Sequence, residues 1–118
     1  MAVYIKADGC SCGCDFSLYL EGGDAGWDTT YDLITGGGSI LGAGSLEIDW
    51  VFNTKADRLQ VYLNGSGTAA YDTGCTTGTG GTTLALPACS STVRLVITPN
   101  CLGDTATFWS FDVVCSVP

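Results

Sequence analysis

The sequence predicts an all-β chain, an antiparallel, jelly-roll-like β-sandwich of about nine strands, and three observations carry that expectation. Seventeen glycines, three prolines and 14% charged residues in 118 suit short strands joined by tight turns, and the Glu, Lys and Leu excess of a helical protein is missing. Apolar residues recur at every second position in several segments, with no 3.6-residue period anywhere. Glycine runs and an Asn-Gly pair separate these segments at short spacing. The length is that of one domain, large enough to close a core without a metal.

Residues 1–14 read as a cysteine-rich arm containing a first strand over residues 2–7, and residues 15–118 as a single sandwich domain. Strands are expected over residues 15–20 and 29–34, followed by a glycine loop over 36–44. In SLEIDWVFN, residues 45–53, Leu46, Ile48, Trp50 and Phe52 alternate with Glu47, Asp49 and Val51, the period of a half-buried strand. RLQVYLN places Leu59, Val61 and Leu63 on one face and Arg58, Gln60 and Tyr62 on the other. The two segments are expected to be adjacent antiparallel strands, with residues 54–57 between them. Asn64-Gly65 signals a hairpin, because both residues tolerate positive φ, and TAAYD returns from it. A second glycine loop is expected over 74–81, then strands over 82–86, 92–98 and 105–115. In the last of these Trp109, Phe111, Val113 and Cys115 share one face. The expected core is Leu46, Ile48, Trp50, Phe52, Leu59, Val61, Leu63, Val93, Leu95, Ile97, Trp109, Phe111 and Val113.

Twelve acidic residues against Lys6, Lys55, Arg58 and Arg94 give a net charge of −8. Nucleic-acid partners are excluded, since their binding draws on clustered Lys and Arg. No apolar run approaches the ~20 residues that cross a bilayer as a helix. The chain has no histidine, which removes Ser-His-Asp and Cys-His hydrolysis and His-ligated zinc. Catalysis would rest on carboxylates, with Glu21, Glu47, Asp49, Asp57 and Asp112 as the available pairs. Acidic residues on the outer faces of strands are more often solvated, and the expectation is no enzyme and no cofactor. Calcium is the one ligand with support, because acidic loops at the ends of a sandwich supply carboxylate and carbonyl oxygens. Its candidate ligands are Asp49, Asp57, Asp72 and Asp112. The glycine runs are not phosphate cradles, since neither reads GxxxxGK[ST] or opens a helix. Asn64-Gly65-Ser66 matches a glycosylation sequon, which the hairpin explains without a glycan.

The seven cysteines are Cys10, Cys12, Cys14, Cys75, Cys89, Cys101 and Cys115. Cys-x-Cys-x-Cys in an extended segment sends three thiols to one side, as a soft-metal cluster requires, but a Cys-x-x-Cys knuckle is absent. A disulfide framework accounts for the distant cysteines as well: Cys75 and Cys89 bracket a Gly/Thr excursion, and Cys101 and Cys115 bracket the last turn and strand. Two of the first three are expected to staple the arm to the sandwich. An odd count leaves at least one thiol for a neighbouring chain. Such density suits oxidising surroundings, while the opening MAVYIKADG has no secretion leader. Release by lysis, as for a phage particle, reconciles the two; secretion, with the leader absent from the sequence, is the alternative.

DRLQVYLNG, YDTG, a Gly/Thr turn, STVRLVIT and TFWSFDVVC together resemble β-sandwich modules of phage structural proteins and bacterial extracellular proteins. The Asp-led strand is also similar to that of CUB-like jelly rolls, and this resemblance implies calcium at Asp57 alone. Together these features point to a non-enzymatic structural protein of an extracellular assembly, a phage virion protein of the capsid surface or tail. Its expected partners are other copies of itself, met through residues 1–15, and capsid or tail proteins, with the virion as its location. The alternative is a secreted carbohydrate- or ligand-binding module, its aromatic residues stacking on sugar rings.

Overall fold

The computed structural model describes residues 10–11, 14–34, 36–40 and 42–117. Among them every regular element is a strand: β1 (Cys10–Ser11), β2 (Ser17–Gly22), β3 (Trp27–Asp32), β4 (Ser39–Ile40), β5 (Gly44–Leu63), β6 (Tyr71–Asp72), β7 (Thr76–Leu86), β8 (Thr92–Thr98) and β9 (Trp109–Ser116). β1 and β4 form a short parallel pair. The other seven build an antiparallel sheet in the order β2-β9-β5-β8-β3, with β6 and β7 also paired to β5, and the sheet curls as a half-barrel.

Strand β5 organises the molecule. Its first half lies between β9 and β7, so that Ile48 faces Val113 on one side and Thr82 on the other. Its second half lies between β8 and β6, where Val61 faces Leu95 and Tyr71. The segments expected to be two neighbouring antiparallel strands are therefore one strand of 20 residues. Residues 54–57 do not reverse the chain. The ladder to β7 instead shifts register between Val51 and Asn53 and again before Asp57, with Asn53 at φ 58°. Bulges of this kind bend a strand and raise its twist without ending it.

The alternating apolar residues sit where the period of two puts them. Leu46, Ile48, Phe52, Leu59, Val61, Val93, Leu95 and Val113 are fully buried, and Trp50, Ile97, Trp109 and Phe111 nearly so. Leu63 is only half-buried, while Leu33, Ile40, Ala56, Leu86 and Cys115 join the core beyond the expected set. At the hairpin Asn64 and Gly65 both take positive φ, and the Ser66 amide donates to the Leu63 carbonyl at 3.0 Å.

The expected glycine loop over 74–81 is a further correction, since most of it belongs to β7. The reason is a pairing of glycine with tryptophan. Gly80 lies opposite Trp50, and a Cβ there would run into the indole. Gly22 lies opposite Trp109 in the β2–β9 ladder and is crowded in the same way. Each indole lies over the backbone of its glycine, and its N–H is satisfied, Trp50 by the Tyr71 hydroxyl at 2.9 Å and Trp109 by the Gly23 carbonyl at 2.9 Å. The last strand begins at Trp109 rather than at 105, because the preceding residues belong to a clamped loop. The strand expected over residues 2–7 lies outside the described residues.

Candidate functional site

The four aspartates singled out for calcium fall in three places. Asp49 and Asp112 are direct partners across the β5–β9 ladder, both exposed on the outer face of the sheet. Asp72 is held by Arg58, whose Nε and Nη2 donate to its two oxygens at 2.9 and 2.5 Å. Those bonds, from a guanidinium that remains charged, bring the Asp72 carboxyl down to about 2. Asp57 is fully buried at the point where β5 leaves its bulge. Among the described residues no group of three or more His, Cys, Asp or Glu is arranged to hold a metal ion.

Asp57 has a different task. It accepts the Asn100 amide at 2.9 Å, and both its oxygens accept the Thr107 hydroxyl at 3.0 and 2.8 Å. Asp24, in the turn between β2 and β3, grips the same two residues from the other side. It accepts the Asn100 side-chain Nδ2 and the Thr107 amide, each at 2.9 Å. Those donors, Asn100 foremost, hold the Asp24 carboxyl below its ordinary range. Two carboxylates thus close the neck of a loop over residues 100–107, and the Cys75–Cys101 disulfide ties its first turn to the start of β7. Loops whose ends are pinned this close are compact and often carry function. This one presents Leu102, 72% exposed, and is followed by exposed Phe108. Asn100, at φ 52°, turns its Nδ2 to Asp24 and leaves its buried Oδ1 without a donor.

The outer face of β2, β9, β5 and β7 is the other surface with chemistry. One row across it reads Tyr19, Asp112, Asp49, Gly81, flanked by Glu47 and Val114 in the row on one side and by Glu21, Ser110 and Val51 on the other. Four carboxylates stand there, and none of the described cations does. Tyr19 is 55% exposed and donates to Glu21 at 3.0 Å. That hydrogen bond raises the phenol's pKa. Gly81 leaves room for the Asp49 carboxylate, since a Cβ there would sit 2.6 Å from Asp49 Oδ1. On the other half of the sheet the two arginines are paired: Arg94 donates to Asp28 at 2.8 and 2.7 Å and lies 5.1 Å from the Tyr62 ring centre, and Arg58 is bound to Asp72.

The cysteines staple the fold, though not as their spacing suggested. Cys14 bonds Cys115 and Cys75 bonds Cys101, instead of Cys75 with Cys89 and Cys101 with Cys115; Cys89 is also disulfide-bonded. Cys14–Cys115 ties the segment entering β2 to the last strand, one of the two bridges expected from the first three cysteines. Cys12 and the side chain of Cys10 lie outside the described residues. The sequon residue Asn64 is engaged within the fold, its Oδ1 accepting the Ser91 amide at 2.7 Å and its Nδ2 donating to Ser90 Oγ at 3.2 Å.

Sequence reasoning did not find Asp24, Asn100 or Thr107. Asp24 follows Gly22-Gly23, and Asn100 follows Pro99, both turn signals; their convergence on Asp57 depends on the bulge in β5, which no local pattern announces. No protein-family model matches this chain, and no curated protein matches it either.

Proposed function

We propose that the protein is a non-enzymatic structural component of an extracellular assembly, its leading form a phage virion protein that decorates the capsid or belongs to the tail. In this reading the two ladders sharing β5 are the layers of a jelly-roll-like sandwich. The observation that carries the proposal is the use made of the reactive side chains. Asp57 and Asp24 hold a loop neck, Asp72 holds an arginine, and at least five cysteines are spent on disulfides. A scaffold that commits its chemistry to rigidity in oxidising surroundings suits a particle that must survive outside a cell. The partners are further copies of the chain and other particle proteins, and residues 1–15 belong to the contact.

The test is co-sedimentation. Extracellular particles from the producing organism, purified through a density gradient and analysed by quantitative mass spectrometry, should contain this chain at a fixed copy number. Its recovery only in the particle-free fraction would refute the proposal.

A secreted carbohydrate- or ligand-binding module is the second reading, favoured by exposed Tyr19 on an outer face rich in carboxylates. Trp50 and Trp109 are not available for stacking, being packed on Gly80 and Gly22. Glycan-array binding that is lost in Tyr19→Ala would support this reading over the first.

A further inference from the structure

Cys14–Cys115 and Cys75–Cys101 sit in different surroundings. The first is enclosed, with Cys115 only 7% exposed inside the core cluster and Cys14 packed against that cluster. The second is at the surface, Cys75 exposed and Cys101 half-buried. A disulfide opens in a folded protein when a thiolate reaches one of its sulfurs, so access decides which bond exchanges. Both ends of the surface bond are nevertheless held to one stretch of β5 without help from the sulfurs. The Thr73 amide donates to the Leu59 carbonyl and its Oγ1 accepts the Leu59 amide, each at 3.0 Å, and Thr76 is the ladder partner of Asp57. Cys75 lies between these two anchors. On the other side the Asn100 amide donates to Asp57 at 2.9 Å, and the Cys101 amide to the Ala56 carbonyl at 3.1 Å.

We infer that Cys75–Cys101 is a thiol-exchange site, a latch on the loop over residues 100–107 that small thiols of the glutathione kind open and reclose within the folded protein. A thiolate attacks the exposed Cys75 Sγ, and the S–S bond breaks to release the Cys101 thiolate, which takes up a proton. A second thiolate attacks the small-molecule sulfur of the mixed disulfide and releases the Cys75 thiolate, which is protonated in turn. Two small thiols are thereby oxidised to their disulfide and the protein bond is reduced to two thiols; reclosure runs the same steps backwards. The anchors on β5 survive the opening, so the two Cα atoms, 5.9 Å apart when joined, stay within the span of a disulfide. Each thiol then meets the other at high effective concentration. The bonds of Asp24 and Asp57 to Asn100 and Thr107 also survive and keep the neck of the loop closed. What the open latch releases is the tie between the start of β7 and the first turn of the loop, which carries Leu102, 72% exposed. The latch belongs to the single chain and stands whether or not copies assemble.

The test treats the full oxidised chain with excess reduced glutathione, quenches aliquots with N-ethylmaleimide and follows the alkylation of each cysteine by peptide mapping. Cys75 and Cys101 should be labelled at least about tenfold sooner than Cys14 and Cys115, with an unchanged circular dichroism spectrum. Amide exchange in the opened protein should rise at Leu102 and Gly103 and stay as it was at Leu59. Oxidised glutathione should then restore the Cys75–Cys101 link in a chain that has not unfolded. Cys75→Ser, which is permanently open, should fold and show the loop exchange of the opened wild type, a readout independent of any added thiol. Equal or faster labelling of Cys14 and Cys115 overturns the latch. So does a Cys75–Cys101 bond that excess glutathione leaves closed, an opening that unfolds the sheet, or an opened chain that does not reclose.

Discussion

At the scale of single residues, glycine is as much a packing residue here as a turn former. Gly80 and Gly22 are in strands, and each leaves room for an indole to lie across the ladder, the arrangement by which an aromatic neighbour shields a glycine backbone. Gly80→Ala should destabilise the protein by about 2 kcal/mol, because Trp50 must leave its position. Gly67→Ala, where the added methyl meets open space, should change stability by under about 0.5 kcal/mol. Urea denaturation of the two variants checks the contrast. The Arg58–Asp72 pair gives a pH-dependent counterpart. Its carboxyl is held at about 2 in the folded chain against an ordinary 3.8, so its contribution is complete above pH 4 and is lost as pH falls through about 2. The pair is partly exposed, with side-chain exposures of 41% and 32%, which limits the contribution to about 1 kcal/mol. Asp72→Asn should therefore lower stability by that amount at pH 6, with the difference shrinking between pH 4 and pH 2 in paired thermal melts.

At the scale of elements, the long strand and its bulge explain both the loop neck and the limits of reading this chain from its sequence. Alternation placed nearly all of the core, because side-chain direction in a strand is a local property with a period of two. It said nothing of whether SLEIDWVFN and RLQVYLN lie side by side or end to end. That depends on residues 53–57, whose polar character fits a turn and a bulge equally well. The glycines of β7 misled for a related reason: their place in a strand is set by Trp50 across the ladder, a partner 30 residues away in sequence. The candidate site was legible at Asp57 and, on the outer face, at Glu21, Glu47, Asp49 and Asp112. Asp57→Ala should cost about 3 kcal/mol, since it leaves the buried Asn100 amide and Thr107 hydroxyl without their acceptor. Amide exchange should show residues 100–107 opening first, while β8, at the centre of the other half of the sheet, keeps its protection. Uniform loss across the sheet would argue against a locally clamped loop.

At the scale of the whole molecule, stability and function meet in the disulfides. By the chain-entropy relation, cross-links spanning 101 and 26 residues stabilise by about 4.7 and about 3.5 kcal/mol through the unfolded state. Those magnitudes are a large share of the 5–15 kcal/mol typical of a folded domain. Two disulfides are compatible with an extracellular or secreted protein, which is the premise of the assembly proposed above. Non-reducing peptide mapping by mass spectrometry, on protein from its native source alkylated before digestion, is the most direct test. Linked peptides joining Cys14 to Cys115 and Cys75 to Cys101 are the expected result. Recovery of these four cysteines as alkylated free thiols from the folded, native protein would contradict it.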